Sequence, residues 1–354
     1  MQGASLPLAL TMGDSAGIGP EIIAKAYRDA PNVTRNCLVA GDIETMRRAV
    51  RTIAQPQSVT LAVAAIESID QLRAVPPRCI PVLQVAAPGS CQPFGKVSAM
   101  AGQAAADCVV WAAQAALHGE IAGLVTAPLN KEALAAAGVG FPGHTELLQA
   151  QAAAFLGRSV KDVPVRMMLA NDELRTVLLS IHLSLRDALD AVTFDNLLQT
   201  IQITHAALRQ TLGHKPRIGV AGLNPHAGES GLFGREELDV IAPAVAAARG
   251  LGFTVSGPHA PDTVFMRARN TTEHPGEFDV VVAMYHDQGL IPVKYLGVES
   301  GVNVTLGLPL VRTSPDHGTA FDIAGTGRAD AASLIAALRM ARSLSGKPPK
   351  ATQR

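Results

Sequence analysis

Short runs of valine, isoleucine and leucine alternate along the chain with longer segments in which alanine and other apolar residues recur at helical spacing. Short apolar runs of this kind are typical of strands buried in a largely parallel sheet. Their alternation with helical patterns is the arrangement expected of consecutive βα units. The sequence therefore predicts an α/β fold.

The individual elements follow from the same pattern. Strands are predicted at Leu6–Met12, Cys37–Ala40, Gly123–Thr126, Val165–Ala170, Arg175–Ser180, Arg217–Ala221 and Val280–Tyr285. Helices are predicted at Gly19–Ala30, Ser98–His118, Lys131–Ala137, Phe194–Leu212 and Arg235–Arg249. Residues 55–93 are rich in proline and less periodic, which predicts irregular surface structure with one or two short strands and no recognisable chemistry.

Length and composition narrow the class of protein. A chain of 354 residues with 48% hydrophobic and 17% charged residues is expected to fold as two domains or as one large α/β domain. Lysine plus arginine equals aspartate plus glutamate at 30 each, so no net positive field is available to bind nucleic acid. Nucleic acid is therefore not expected as a partner.

Three features predict a cytoplasmic protein that does not interact with a membrane. Met1–Leu10 has no positively charged segment before its apolar run, which favours a first strand over a signal peptide. A membrane-spanning helix needs about 20 consecutive apolar residues, and no such run is present in the sequence. The four cysteines form no C-x-x-C pair, which fits reduced structural thiols.

A glycine-rich turn follows the first predicted strand, with the sequence TMGDSAGIGPE from Thr11 to Glu21. Such a turn exposes backbone N–H groups and a helix N-terminus, which favours binding of an anion or of another closely approaching ligand. The alternative is a tight turn that needs its glycines only for geometry. The spacing differs from G-x-G-x-x-G, so a Rossmann dinucleotide site is not predicted.

Four histidines are predicted to lie where strands end and loops begin, namely His144, His182, His226 and His286. The carboxyl ends of parallel strands surround the ligand site of an α/β sheet, so these side chains can converge there. Three imidazoles form a good site for a divalent metal with room for substrate. For any single histidine in such a loop a capped or hydrogen-bonded structural role is favoured, whereas the set as a whole favours a metal.

Three polar residues follow His286 at intervals of nine in a strand-like segment, namely Lys294, Asn303 and Arg312. The guanidinium of an arginine is suited to bidentate binding of phosphate or carboxylate, so this segment predicts anion recognition. The alternative is solvent-facing charge at strand edges.

The last motif is SPDHGTAFDIAGTG from Ser314 to Gly327. Its small residues indicate close approach of the backbone to another group, and Asp322 could accept hydrogen bonds from both hydroxyls of a ribose. The alternative is a plain loop that ends in a helix cap.

Read in order, these motifs resemble the 4-hydroxythreonine-4-phosphate dehydrogenase (PdxA) family over nearly the whole chain. The matching strings are GDSAGIGPE, TAPLNKEAL, GHTELL, LNPHAGE, GPHAPDTVF, AMYHDQGLIPVKY and GVNVTLGLPLVRTSPDHGTAFDIAG. The last string is also similar to the HGSAPDIAG loop of isopropylmalate dehydrogenases, which contacts the adenosine part of NAD.

The resemblance implies an isocitrate/isopropylmalate-dehydrogenase-like architecture with two α/β domains and the active site in the cleft between them. The first, NAD-side domain is expected to comprise residues 1–128 and 304–354. The second, residues 129–303, is expected to carry the metal ligands and the dimer interface.

Site residues are carried over from the family position by position. The resemblance implies that the metal ligands are His182, His226 and His286, in a site completed across a homodimer interface. It implies that the substrate contacts are His144, Thr145, Lys294, Asn303 and Arg312, and that the residues near the metal and the reacting centre are Asp262 and Asp287. The residues expected to bind NAD are Gly13, Gly17, His317, Gly318, Thr319, Asp322 and Ile323.

The implied reaction is NAD-dependent, metal-dependent oxidation and decarboxylation of 4-phosphohydroxy-L-threonine to 3-amino-2-oxopropyl phosphate, in pyridoxal phosphate synthesis. Lys294 is expected either to assist proton transfer or to act electrostatically. Zinc is the first choice of metal, with magnesium, cobalt and manganese as alternatives. Asp322 would disfavour the 2′-phosphate of NADP.

Two positions depart from the family pattern. Ser15 stands where the family usually has proline, and His259 lies in HAP where many members read LPA. Alternative substrates are 4-phospho-D-threonate, 4-phospho-D-erythronate and the cis-dihydrodiol of terephthalate. A phosphotransacetylase-like acyltransferase and a non-catalytic NAD- or metal-binding protein are the alternatives from other classes; the histidine set and the HGTAFDIAG loop argue against the acyltransferase.

Overall fold

The computed structural model describes residues 5–54, 61–87, 89 and 91–346. The chain divides into two compact units, Met1–Pro164 with Leu308–Arg354, and Val165–Gly307. Expectations for residues 1–4, for 55–60 within the proline-rich segment and for the last eight residues lie outside the described chain.

Strands and short helices alternate in both units. The strands are β1 (Leu8–Thr11), β2 (Cys37–Gly41), β3 (Ala62–Ile66), β4 (Cys79–Gln84), β5 (Gly123–Thr126), β6 (Arg166–Ala170), β7 (Arg175–Leu178), β8 (Ile218–Ala221), β9 (Val255–His259), β10 (Val280–Ala283), β11 (Val302–Leu306) and β12 (Arg312–Pro315). The α-helices are α1 (Gly19–Asp29), α2 (Pro31–Thr34), α3 (Ile43–Thr52), α4 (Ala99–Leu117), α5 (Lys131–Ala136), α6 (His144–Leu156), α7 (Leu185–Asp190), α8 (Phe194–Leu212), α9 (Ala242–Gly250), α10 (Val264–Ala268), α11 (His286–Tyr295) and α12 (Ala332–Leu344).

The first unit is built on a parallel sheet with the strand order β3-β4-β2-β1-β5-β12. Every residue of β1, β2 and β5 is buried, as expected for central strands covered on both faces. The alanine-rich helix α4 packs its small side chains close to this sheet, and its N-terminus is capped by Ser98. The strands β1 and β5 are therefore buried and closely packed up to their carboxyl ends.

The second unit has a mixed sheet with the order β11-β6-β7-β10-β8-β9. β6 pairs antiparallel with β11 and with β7, whereas β7, β10, β8 and β9 are parallel. The parallel strands β7, β10 and β8 are direct neighbours, so the segments that follow them emerge at the same edge of the sheet.

The boundaries of the compact units lie after residues 164 and 307, whereas the expected domain boundaries lay after residues 128 and 303. Helices α5 and α6 both pack on α4, so residues 129–164 group with the first unit. The second unit ends at Gly307, after β11, because β11 pairs with β6 of the same unit.

The sequence pattern located the predicted strands and helices to within one or two residues at most ends. One or two short strands were predicted within residues 55–93, and the structure has two, β3 and β4. Two expectations are wrong: Lys294 lies on α11 instead of a strand, and His144 starts α6 instead of following a strand. Among the described residues, no helix is long and apolar enough to cross a membrane.

Candidate active site

The glycine-rich turn packs directly on the loop that contains Thr319. A Cβ on Gly17 would lie 2.9 Å from Cβ of Thr319, and the Ile18 N–H donates to the Thr319 carbonyl at 3.0 Å. Gly13 has φ 73° and leaves no room for a side chain, since its Cβ would lie 2.3 Å from the Pro128 carbonyl oxygen. Two motifs that are some 300 residues apart in the sequence thus form one surface.

Helix α1 anchors the far end of the same loop. The Lys25 ammonium donates to the carbonyl of Gly327 at 2.7 Å and also to that of Ala329. Glu21, only 3% exposed, accepts from the Ala329 N–H at 2.9 Å and pairs with Lys25 at 3.3 Å. Within the loop, Asp322 is exposed to solvent and can therefore be reached by a ligand.

The end of the proline-rich segment, at Gln92, lies against the glycine-rich turn together with Arg48 and Phe94, although no chemistry was expected in that segment. The Arg48 guanidinium donates to the carbonyls of Ser15 and Gln92, both at 2.6 Å, and stacks 3.9 Å from the centre of the Phe94 ring. The Gln92 N–H donates to the Ser15 hydroxyl at 3.4 Å. A proline at position 15 could not accept this bond, so the departure from the family pattern has a local structural role.

Asp14 is a buried carboxyl group inside the turn. Its Oδ1 accepts from the Ala16 N–H at 2.8 Å, and its Oδ2 has no hydrogen-bond partner among the described residues. Burial raises the pKa of Asp14 to about 6, and the bond from Ala16 only partly opposes this rise.

The raised pKa makes stability depend on pH. Below about pH 4 the Asp14 carboxyl is protonated in both the folded and the unfolded state, so its ionisation does not affect stability. Above that pH the unfolded state ionises freely, whereas the folded state keeps the proton up to about pH 6 and carries a buried charge beyond it. The free energy of unfolding therefore falls as the pH rises. We expect Asp14→Asn to stabilise the protein relative to wild type by about 2 kcal/mol more at pH 8 than at pH 4. The free energy of unfolding is measured by urea denaturation at both pH values, with the exposed Asp29→Asn as the control. If Asp14→Asn differs from wild type by the same amount at about pH 4 and at about pH 8, the raised pKa of Asp14 is contradicted.

Arg312 is a buried cation of the first unit that interacts electrostatically with the half-buried His144. Arg312 is 4% exposed, and its Nε and Nη2 donate to the Thr126 hydroxyl at 3.1 and 2.8 Å. Burial lowers the pKa of Arg312 to about 10, opposed by Glu146, so that the guanidinium still carries its charge near neutral pH.

His144 is held neutral beside this cation. Burial and, next, the charge of Arg312 move its pKa well below the ordinary value, opposed by a hydrogen bond to the backbone of Ala127. Its buried Nε2 has no hydrogen-bond partner in the described chain. Thr145 follows as the second residue of α6.

The three predicted metal ligands all lie in the second unit, after the neighbouring strands β7, β8 and β10. The rings of His182 and His286 have centres 5.8 Å apart; imidazoles that share one ion at about 2 Å have ring centres roughly 5–6 Å apart. His286 Nδ1 contacts Asp287 Oδ1 at 2.7 Å, which leaves Nε2 available for a ligand. His226 lies near Phe233 instead, with ring centres 6.3 Å apart.

A single chain does not assemble the complete set. Among the described residues, no group of three or more histidine, cysteine, aspartate or glutamate side chains is arranged to hold a metal ion. His182 and His226 both have left-handed backbone conformations, with φ of 51° and 52°. Such conformations are unusual for residues other than glycine and are concentrated at functional sites.

The remaining predicted residues of the second unit lie at separate places. Lys294 is on α11, about two turns beyond His286, and Asn303 is half-buried on β11. Asp262 is exposed just after β9. Gln288 links two of the histidine segments, since its amide donates to the Gly222 carbonyl at 2.8 Å and its oxygen accepts from the Met284 N–H at 2.7 Å.

The second departure from the family pattern, His259, belongs to a local network. Its Nδ1 faces Arg267 Nη1 at 3.2 Å and its Nε2 faces the Ser256 hydroxyl at 2.9 Å. Because arginine can only donate, Nδ1 accepts and the Nε2 proton points to Ser256. Burial and then Arg267 lower the pKa of His259. A histidine that donates to a serine does not activate it as a nucleophile, so this group is structural.

Comparison with known proteins identifies the family. A family model described as "Pyridoxal phosphate biosynthetic protein PdxA" matches residues 33–341. The chain belongs to this family. The family suggested by the sequence motifs is thereby confirmed.

Three relatives of this PdxA-family chain cover almost all of it. A protein of Beijerinckia indica subsp. indica named 4-hydroxythreonine-4-phosphate dehydrogenase is 51% identical over 343 residues, 97% of this chain and 96% of the relative. The D-threonate 4-phosphate dehydrogenase of Salmonella typhimurium is 44% identical over 339 residues, 95% and 98% of the two chains. A crystal structure of 4-hydroxythreonine-4-phosphate dehydrogenase from Klebsiella pneumoniae has a TM-score of 0.84 and 41% identity, covering 98% and 100% of the chains.

These relatives confirm the α/β fold and the prediction of a dehydrogenase at the level of the family. The single sequence did not identify the side chains that support the predicted residues, among them Thr126, Glu21, Lys25, Arg48, Gln288 and Glu237. Glu21 and Lys25 stand four residues apart, which is the usual spacing of an ion pair on a helix, but no spacing in the sequence predicts their contacts with Gly327 and Ala329.

Proposed function

We propose that the protein is an NAD-dependent, divalent-metal-dependent dehydrogenase that oxidises and decarboxylates 4-phosphohydroxy-L-threonine to 3-amino-2-oxopropyl phosphate. The observation that carries this proposal is the location of three histidines after three adjacent strand ends, with two of the rings 5.8 Å apart. The 51% identity to a relative named for this activity supports the choice of substrate.

The first unit supplies the cofactor and anion contacts. We assign NAD to the surface formed by the glycine-rich turn and the loop of residues 317–323, with the exposed Asp322 accepting from the ribose hydroxyls. A carboxylate at that position disfavours the additional phosphate of NADP. When bound, NAD supplies the hydride acceptor.

We assign the substrate phosphate to Arg312, with Thr145 and the neutral His144 beside it. A buried guanidinium that keeps its charge binds a phosphate oxygen pair strongly, since few water molecules compete. With the ring bonded to the backbone of Ala127, the His144 Nε2 is left as an acceptor for a donor group of the ligand.

The second unit supplies the metal ligands His182, His226 and His286. Their imidazole donors favour zinc first, with cobalt, manganese and magnesium as alternatives. A divalent metal bound there would lower the pKa of the substrate hydroxyl. Asp287 holds the His286 ring in orientation through the 2.7 Å contact. Lys294, Asn303 and Asp262 are assigned to the substrate end of this site, where Lys294 accepts the hydroxyl proton or stabilises the developing charge.

We further propose that the functional form is a homodimer whose partner chain completes the metal site. Large apolar side chains are exposed on or next to the chain segments that carry the three histidines, and they are Leu183, Leu185, Leu189, Leu232, Phe233, Leu238, Ile291 and Tyr295. Tyr295, for example, is 90% exposed. Apolar side chains grouped in this way are typical of surfaces that bind another protein chain. The four cysteines are free thiols in the structure, which fits the cytoplasm as the compartment.

A second candidate substrate is 4-phospho-D-threonate, because a relative at 44% identity is named for that activity. Both candidates carry a phosphate and a secondary hydroxyl, so the residues named above would serve either one.

The test is the production of NADH by purified protein that has been dialysed against a chelator and reloaded with Zn²⁺ or Mg²⁺. We expect metal-dependent turnover of 4-phosphohydroxy-L-threonine with NAD and little with NADP. Turnover of 4-phospho-D-threonate alone would identify this second candidate as the substrate. No NADH production with either substrate and either metal would overturn the proposed function.

A further inference from the structure

The segment that carries His226 has an unusual backbone. Five consecutive residues, from His226 to Ser230, have positive φ angles between 43° and 79°. Only one of them, Gly228, is a glycine, and a left-handed turn is unfavourable for every other residue type. This turn therefore needs support from its surroundings to persist.

Glu237 provides that support from the neighbouring helical segment. Its Oε1 accepts from the backbone N–H groups of Leu223 and Asn224, both at 2.7 Å. Its Oε2 accepts from the Asn224 side-chain amide at 3.0 Å. Three donors from the residues that lead into His226 thus converge on one carboxylate, which is only 2% exposed.

The space around this carboxylate is shaped to receive it. A Cβ on Gly228 would lie 2.7 Å from Oε2, and a Cβ on Gly222 would lie 3.1 Å from Oε1. Glu237 begins a π-helical turn, Glu237–Ile241, immediately before α9. Single π turns are rare and occur often at functional sites, where the extra residue changes the direction of a side chain.

Charge and geometry together single out glutamate at this position. A carboxylate can accept all three N–H donors at once, and charge-assisted bonds are about twice as strong as neutral ones. Without it, the backbone N–H groups of Leu223 and Asn224 would lose their acceptor, although the Asn224 side chain would keep its 2.6 Å bond to Oε2 of Glu236.

We propose that Glu237 is the positioning residue of the metal site: by fixing Leu223 and Asn224 it holds the left-handed turn in the one conformation that presents the His226 imidazole. The inference rests on the proposed function, because it takes His226 to be a metal ligand. Glu237 itself does not touch the metal or the substrate; it acts through the backbone of the turn.

The experiment measures Co²⁺ binding to the metal-free, full-length protein without substrate or NAD. Four variants are compared with wild type: Glu237→Ala, Glu237→Gln, His226→Ala and, as the matched control, Asp239→Asn. Asp239 lies in the same π turn but is 51% exposed and pairs with Arg235 on the surface. Affinity is measured by titration, and the ligand set by the visible absorption spectrum of bound Co²⁺.

We expect Glu237→Ala to weaken Co²⁺ binding roughly 10- to 100-fold and to give the spectrum of His226→Ala at saturating Co²⁺. Asp239→Asn should match wild type in both measurements. Glu237→Gln keeps an oxygen for the two backbone donors but turns an amide towards Asn224, so its affinity should lie between those of wild type and Glu237→Ala. A general loss of structure would lower affinity without reproducing the His226→Ala spectrum.

The outcomes separate this inference from the function on which it rests. Wild-type protein that binds no Co²⁺, or His226→Ala with unchanged binding, would contradict the metal assignment itself. If His226→Ala loses affinity while Glu237→Ala and Glu237→Gln keep the wild-type affinity and spectrum, the positioning role is wrong. If Glu237→Ala does not fold, Glu237→Gln tests the positioning role alone: lower Co²⁺ affinity than wild type supports the role, and the wild-type affinity and spectrum contradict it.

Discussion

Replacing Arg312 by lysine is expected to lower kcat/KM for the phosphorylated substrate by about 100- to 1,000-fold while the protein remains folded. The guanidinium of Arg312 is 4% exposed and uses its Nε and Nη2 to hold the Thr126 hydroxyl. Lysine keeps the positive charge but lacks the planar set of donors that can bind Thr126 and a phosphate together. The loss should therefore come from geometry and not from charge.

The measurement is steady-state kinetics with substrate varied at saturating NAD. Arg339→Lys, at an exposed position on α12 in the same unit, is the matched control and should leave kcat/KM unchanged. Inorganic phosphate offers a second measurement, because it should raise the melting temperature of wild type and of Arg339→Lys but not of Arg312→Lys. Full activity of Arg312→Lys would remove Arg312 from the proposed anion site.

The sequence predicted local structure well because the pattern of apolar residues is itself local. Helix α8 was predicted with the observed ends, Phe194 and Leu212. Helix α11 was missed since Pro292 and Gly289 within it favour a turn, and the buried contacts of Leu290 and Val293 with the sheet outweigh that preference. Tertiary packing, which no local pattern contains, decided this case.

The candidate site was predicted only in part, for a related reason. The histidines could be identified because each lies near the end of an apolar run, and the order of β7, β10 and β8 then places the following segments at one edge. The groups that support them could not. Lys25 binds carbonyls that are 302 and 304 positions away in the sequence, and nothing near Lys25 indicates this contact.

The second large effect concerns the metal ligands. Replacing His182, His226 or His286 singly by alanine should each lower kcat by about 1,000-fold or more, because the substrate hydroxyl would lose the group that stabilises its ionised form. Metal analysis of each purified variant, beside steady-state rates, distinguishes loss of the ion from loss of the fold. A variant that retains both metal and activity would not be a ligand.

Mixed dimers test whether two chains share the site. If two histidines come from one chain and the third from its partner, a dimer that combines one variant from each set keeps one of its two sites intact and should regain about half of the wild-type activity. A dimer that combines the two variants of the same set has no intact site. Among the three pairwise mixtures, purified through two different affinity tags, we therefore expect two to recover activity and one to remain inactive. Among the described residues of one chain, no group of three possible ligands is arranged to hold a metal ion, and the mixtures test whether the partner chain supplies the third. If none of the three mixtures recovers while wild type is active, every ligand of a site comes from one chain, and that chain must then rearrange to bring His226 to the other two.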